Sequence, residues 1–358
     1  MSNTSFSITL RLRLWKKIKP LFELSDHKRP LGFLAVSAFS VTLPALVGAW
    51  LDQFSTAILA CMGGLVILYM RQTNLSRRMM ILATCAFGFA LSFALGVLTS
   101  FDQYLSAATL TLTVFLVTAI CRFYALPPPG MLFFIVVACL ARTLPFDLSM
   151  AAERTGILMF GAMSACLLAL IYSIYQVYIS KDYVNRPTEE VDNNIVAITI
   201  ESLVISLFVG GGYLLAIMAD LDNPYWVPIS TAAIMQGATF RAVWHRNVHR
   251  IIGTTIGMGI AWVIFSLAPG PWELALLIFV LSFFIEILIT RNYGLAVLFI
   301  TPLTVIFADI TITGTDTGQL MLSRLLDIIL GCFIGLVGGW VIHHPQFVRL
   351  VNKQLSKQ

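Results

Sequence analysis

Three arginines and two histidines crowd into ten residues of FRAVWHRNVHRIIGTTIGMG, Phe240 to Gly259. Arg241, Arg246 and Arg250 suggest contact with nucleic-acid phosphates, His245 and His249 a metal, and Gly253, Gly257 and Gly259 a phosphate-cradling loop. Each reading fails on its surroundings. A DNA-reading face needs an exposed basic surface, usually on a soluble fold, and this run lies between two long apolar segments. His245 and His249 share a helix face at i and i+4, but zinc needs a third ligand. No glutamate is near, and Arg246 and Arg250 crowd the pair. His343 and His344 are adjacent, hence on different faces. The glycines lack the Gly-Lys-Ser/Thr ending and the preceding strand of a phosphate loop. No nucleic acid, metal or other cofactor is therefore expected. No nucleophile–base pair and no nucleotide-binding domain are found, so neither an enzyme nor ATP hydrolysis is expected.

Charge inside an apolar run is costly, and its default reading is functional. Glu201, Glu286 and Asp327 stand in such runs. Asp327 comes one helical turn after Arg324, so an ion pair between them is the structural alternative. For Glu286 the alternative is a pair with Arg291 or a snorkelling position, and for Glu201 a place near the helix end. The arginines recur in two parts of the chain, as Arg78 with Arg250, Arg122 with Arg291, and Arg154 with Arg324. The three acids instead match apolar residues at or near Leu31, Val117 and Ile157. A symmetric arginine frame with acids on one side suits an anion path with one-sided proton coupling. Arg78, Arg122, Arg241, Arg250 and Arg291 are candidates for the path. Glu286, Asp327, Arg324, Arg154 and Glu201 are candidates for coupling or ion pairing.

The segment YWVPISTAAIMQGATF adds polar groups at membrane depth. Tyr225 and Trp226 suit an interface, Pro228 a kink, and Ser230, Thr231 and Gln236 hydrogen bonding. Short, proline- or glycine-interrupted spans often line substrate sites; Pro302 and the run Pro127–Gly130 mark two more. Aromatics and an amide beside arginines suit a planar organic anion. The alternative is an ordinary packed helix with an aromatic belt.

The elements that must position these residues are set by composition. The 358 residues are 58% hydrophobic and 11% charged, against roughly 25% charge in soluble domains. A soluble fold cannot bury that apolar surface, so the bilayer is the solvent. About 20 apolar residues cross it as a helix. Candidate spans lie at 32–50, 54–70, 79–98, 104–121, 130–146 and 155–178, then at 195–219, 225–240, 248–268, 272–290, 293–310 and 319–342. Matching landmarks recur at a nearly constant offset: LDQ at Leu51 with LDN at Leu221, RFY at Arg122 with RNY at Arg291, and Gly161 with Gly331. The expected fold is an all-α polytopic membrane protein of about 12 spans. Its two parallel six-helix repeats, 31–179 and 195–343, are related by a pseudo-twofold axis along the membrane normal. Residues 1–30 form a basic cytoplasmic segment, with Phe6–Leu24 an interfacial helix or a disordered tail. Residues 180–194 are a cytoplasmic linker and 344–358 a cytoplasmic tail.

With both termini inside, all of the 23 lysines and arginines except Arg142, Arg154 and Arg324 fall on the cytoplasmic side, as the positive-inside rule requires. No cleavable signal peptide is expected. The six cysteines lie at least 18 residues apart in apolar segments and read as packing residues. Small-residue faces at Gly88/Ser92/Gly96, Gly253/Gly257 and Gly331/Gly335/Gly339 read as close helix contacts.

The stretch NPYWVPISTAAIMQGATFRAVWHRNVHRIIGTTIGMGIA resembles the signature region of the fusaric acid resistance protein-like family. The matching features are Tyr225–Trp226, a short polar span, Thr239–Arg241, and Arg250–Gly257. RNYGLAVLFITPL, Arg291 to Leu303, is similar to the family's next block, and the first half is a weaker copy. The resemblance implies an inner-membrane exporter of organic anions, aromatic carboxylic acids above all, working with a periplasmic adaptor protein. It also implies a likeness to plant malate channels built as dimers of six-span subunits. Many members carry a soluble cytoplasmic region, and none of useful size is expected in these 358 residues. Combined with the residues, the resemblance gives a proton-driven exporter, with a passive organic-anion channel and a non-transporting scaffold or subunit as alternatives.

Overall fold

The computed structural model describes residues 23–180, 194–309 and 317–345. All but the last two residues of the expected interfacial helix, most of the linker and most of the tail lie outside these residues. Every regular element among the described residues is helical. They are α1 (Leu31–Trp50), α2 (Phe54–Gly64, continued by a 3-10 segment, Leu65–Tyr69), α3 (Leu75–Leu98), α4 (Gln103–Phe123), α5 (Leu132–Ala141) and α6 (Leu148–Tyr175, ending in a π segment, Gln176–Ser180). They continue with α7 (Ile195–Met218), α8 (Trp226–Met235), α9 (Phe240–Ser266), α10 (Pro271–Leu288), α11 (Tyr293–Asp309) and α12 (Thr317–His343).

Eight of these are long and apolar enough to cross a membrane; α2, α5, α8 and α11 are shorter apolar helices. The expected spans 130–146 and 225–240 thus shrink to ten residues each. The reason for the first is local. Pro127–Pro129 supply no N–H donors, so α5 opens only at Leu132. At the other, Gly237 lets the chain turn so tightly that a Cβ there would stand 2.6 Å from the Val243 backbone. All ten residues of α8 are buried, the polar Ser230 and Thr231 included.

Helix ends carry ordinary signals. Asn74, Asp102, Asn194 and Thr239 accept the N–H groups of Arg77, Leu105, Ala197 and Ala242 as N-caps, satisfying donors that the first turn leaves free. Asp52 and Asp220 take left-handed φ values of 55° and 52° after α1 and α7. There Gln53 and Leu221 N–H reach back to the carbonyls of Gly48 and Ala216, the closing bond of a Schellman cap. The acid matching Asp52 is therefore Asp220, two residues before the Asp222 that the LDQ/LDN pairing singles out.

Small residues set the helix contacts. A Cβ on Gly161 would lie 1.9 Å from the Ala60 carbonyl oxygen, so α6 and α2 touch backbone to backbone; Gly331 stands likewise against Val227 of α8. Gly253 and Gly257 press on Val297 and Thr301 of α11, while Gly88 and Gly96 press on α5. α4 packs on α7, and α10 on α1.

Candidate functional site

The four short helices each line one cavity of about 610 Å³. Along α11 the lining runs from Tyr293 to Phe307, about 20 Å at 1.5 Å per residue. The two sides differ. Between α1 and α5 it is apolar, with Val41, Leu65, Leu68, Phe133 and Val136, and Ser37 the one exception among the helical residues lining that side. The side formed by α8 to α11 carries Gln236, Arg246, Arg250, Thr254, Ser282, Glu286, Tyr293, Thr301 and Thr304.

The cations gather at the end of the bundle expected to face the cytoplasm. Arg246 and Arg250 are one turn apart on α9, so they share a face. Arg250 is buried; its Nε and Nη2 each lie 3.2 Å from the Ser230 oxygen, and Nη1 donates to Tyr293 Oη at 3.3 Å. Arg246 donates to the Ala233 carbonyl and to Gln236 Oε1, and its guanidinium lies 4.9 Å from the Tyr293 ring centre. Gln236 in turn donates to the Pro129 carbonyl at 2.9 Å, which ties α8 to the loop before α5. Among the described residues neutral partners hold both guanidinium groups in place, so no ion pair there cancels their charge and an anion can use it.

At the opposite end, Trp226 lines the cavity and carries the Arg324 guanidinium 3.8 Å above its ring. Arg324 also donates to Thr304 Oγ1 at 2.7 Å. Asp327 is buried beside it. One of its oxygens has no hydrogen-bond partner among the described residues, and the Asn223 backbone N–H serves its carboxylate. Trp226 and Thr304 are thus partners of Arg324 that the helical spacing alone does not suggest, while its charge also acts on Asp327.

The other candidates are dispersed. Glu286 lines the cavity and pairs with Arg29, not with Arg291. Glu201 pairs with Arg122 across the α4–α7 contact, with the two side chains 27% and 41% exposed. Arg78 is buried between α3 and α6, donating to Ser173 and Gln176. Arg154 caps the Pro145 carbonyl, Arg241 is exposed, and Arg291 lends its backbone carbonyl to Ser25. Tyr225 Oη donates to Asn223, and the Thr231 hydroxyl lies within 3.0 Å of the Val227 and Gly331 carbonyls. None of Arg78, Arg122, Arg154, Glu201, Tyr225, Thr231, Arg241 or Arg291 lines the cavity. Ser230 stands behind Arg250 rather than on the lining. The sequence pattern does not single out Arg29, Arg246 or Tyr293 as site residues. Arg246 carries a usable signal, its i, i+4 spacing with Arg250, but that spacing is hidden within a basic loop that topology alone explains.

Every polar side chain on the second-half side of the cavity falls within residues 203–338. This segment matches the fusaric acid resistance protein-like family. The uncharacterized membrane protein YvaC of Bacillus subtilis (strain 168) is 34% identical over 141 residues, 39% of this chain and 22% of YvaC. The uncharacterized protein YhfK of Escherichia coli (strain K12) is 28% identical over 145 residues, 40% of this chain and 20% of YhfK. The matched part is about a fifth of either relative's length. No solved structure matches the chain. With its apolar helices and this family segment, the chain is a multi-pass membrane protein.

Proposed function

We propose that this chain is an inner-membrane exporter of organic anions, with aromatic carboxylic acids as the substrate class and the proton gradient as the driving force. The observation that carries the reading is the central cavity, apolar on one side, with Arg246 and Arg250 at its basic end. A carboxylate fits the guanidinium pair, which offers forked donors, and an aromatic ring fits the apolar wall. The match of residues 203–338 to the fusaric acid resistance protein-like family supports the transport class. Trp226 with Arg324 closes the far end, and Asp327 beside them is the carboxylate assigned to proton exchange. In this reading the termini are cytoplasmic, and a periplasmic adaptor receives the product.

Two parallel repeats of six helices belong to the same proposal. The contacts α1–α2, α2–α6, α3–α5, α3–α6 and α1–α6 each recur six helices later, and α4–α7 and α5–α8 recur as α10–α1 and α11–α2. Such a pattern supports a pseudo-twofold axis, with the cavity on it. Alternating access would rock one half on the other.

The test is uptake into inverted vesicles of benzoate, hydroxylated benzoates and aliphatic acids, with and without a proton gradient. Saturable uptake of aromatic acids driven by an acid interior is expected. Asp327→Asn should leave uptake insensitive to the imposed gradient. Freely reversing anion currents with no pH dependence would instead assign a passive channel.

A further inference from the structure

Two turns rim the basic mouth of the cavity, and they are held differently. The turn between α4 and α5 is pinned by side chains: Tyr69 Oη donates to the Gly130 carbonyl at 2.6 Å, Arg71 Nη2 to Ala125 at 2.6 Å, and Gln236 to Pro129 at 2.9 Å. The turn between α10 and α11 is instead crossed by the segment ahead of α1, residues 23–30, which has no regular structure. Ser25 N–H donates to the Arg291 carbonyl at 3.0 Å. Thr290 Oγ1 donates to the His27 carbonyl at 3.1 Å, and Asn292 Nδ2 to the Glu23 carbonyl at 3.3 Å. The segment ends in Arg29, paired with Glu286 and 5.2 Å from the Phe33 ring centre. His27, Arg29 and Glu286 all line the cavity.

This arrangement has the makings of a gate. Residues 23–28 are exposed, and exposed hydrogen bonds of an irregular segment open at low cost. Its firm point is one charged pair, whose acidic partner is almost fully buried. Separating that pair strands a buried carboxylate and a cation, unless another carboxylate takes the cation. Arg246 and Arg250 line the same cavity.

We propose that residues 23–29 are a strap over the mouth of the cavity, latched by Arg29 on Glu286, and that an organic carboxylate opens it by taking the place of Glu286 on Arg29. The choice of anion rests on the transporter reading; the strap itself does not. The latch makes Arg29 the first substrate-contacting residue and Glu286 an internal stand-in for the substrate's carboxylate.

Disulfide trapping tests this in the full chain, in membranes, with the six native cysteines replaced. Ser25→Cys with Arg291→Cys should cross-link readily while the strap is down. Arg29→Ala and Glu286→Gln should each slow cross-linking about 10- to 100-fold, the effect of losing one charge-assisted bond. The exchanged pair Arg29→Glu with Glu286→Arg should restore it, which separates latch loss from misfolding. Benzoate should slow cross-linking in the parent and have no further effect on Arg29→Ala, and the cross-linked protein should regain benzoate uptake on reduction. Cross-linking that ignores both single substitutions, or ignores benzoate, overturns the proposal. Cross-linking that responds as stated while no variant takes up any anion overturns the transporter reading and leaves the strap standing.

Discussion

Arg250 illustrates how a side chain in a membrane interior keeps its charge for use. Its three hydrogen bonds run to the hydroxyls of Ser230 and Tyr293, which orient the guanidinium without neutralising it. A lysine would keep the charge but lose the planar fork. Arg250→Lys should therefore raise the benzoate concentration for half-maximal vesicle uptake about 10- to 100-fold, from the roughly 1.5–3 kcal/mol of a hydrogen bond to a charged group. Maximal uptake should change less. The basic run around it is legible in the sequence as charge, but its partition is not. Arg241 is exposed, Arg246 and Arg250 face the cavity, and only the rotation of α9 against α8 and α11 decides which is which. The same holds for Arg78 and Arg250. They match in sequence, yet one is held by Ser173 and Gln176 inside a helix pair and the other is offered to a cavity.

The short helices explain why the cavity exists. α2, α5, α8 and α11 are shorter than the eight long apolar helices, and full-length neighbours hold them through close contact at glycines. Glycine makes that contact possible, and its cost of substitution should track the space around it. Gly161→Val drives a side chain into the Ala60 carbonyl and should destabilise by at least about 1–3 kcal/mol, read as a lower thermal midpoint in detergent. Gly259→Ala, with nothing within 4 Å, should be neutral or stabilise by up to about 1 kcal/mol from helix propensity. The small-residue spacing announces these faces, because i, i+3 and i+4 periodicity is a property of one helix. It does not announce that α5 and α8 stop after ten residues. The triple proline before α5 points that way, but the end of α8 depends on how Gly237 packs against Val243, a contact made only in the folded chain.

At the scale of the molecule, two ion pairs among the described residues join the half of the chain before residue 180 to the half after residue 194. Arg122 and Glu201 close the α4–α7 seam, and Arg29 and Glu286 close the α10–α1 seam, with both arginines in the first half and both glutamates in the second. Exposure separates their weight. Arg122→Ala should cost under about 1 kcal/mol, as for surface pairs. Arg29→Ala strands a carboxylate whose side chain is 6% exposed and should cost about 3 kcal/mol or more. Thermal unfolding of both variants beside the parent would read the difference. The sequence by itself determined that the bilayer is the solvent, roughly where the helices lie, and which faces are small, because composition and helical period are local. Tertiary structure alone decided which charges meet and which of them line a cavity. Arg29 and Glu286 are 257 residues apart, and no single helix's pattern records the rotation and depth at which another one docks.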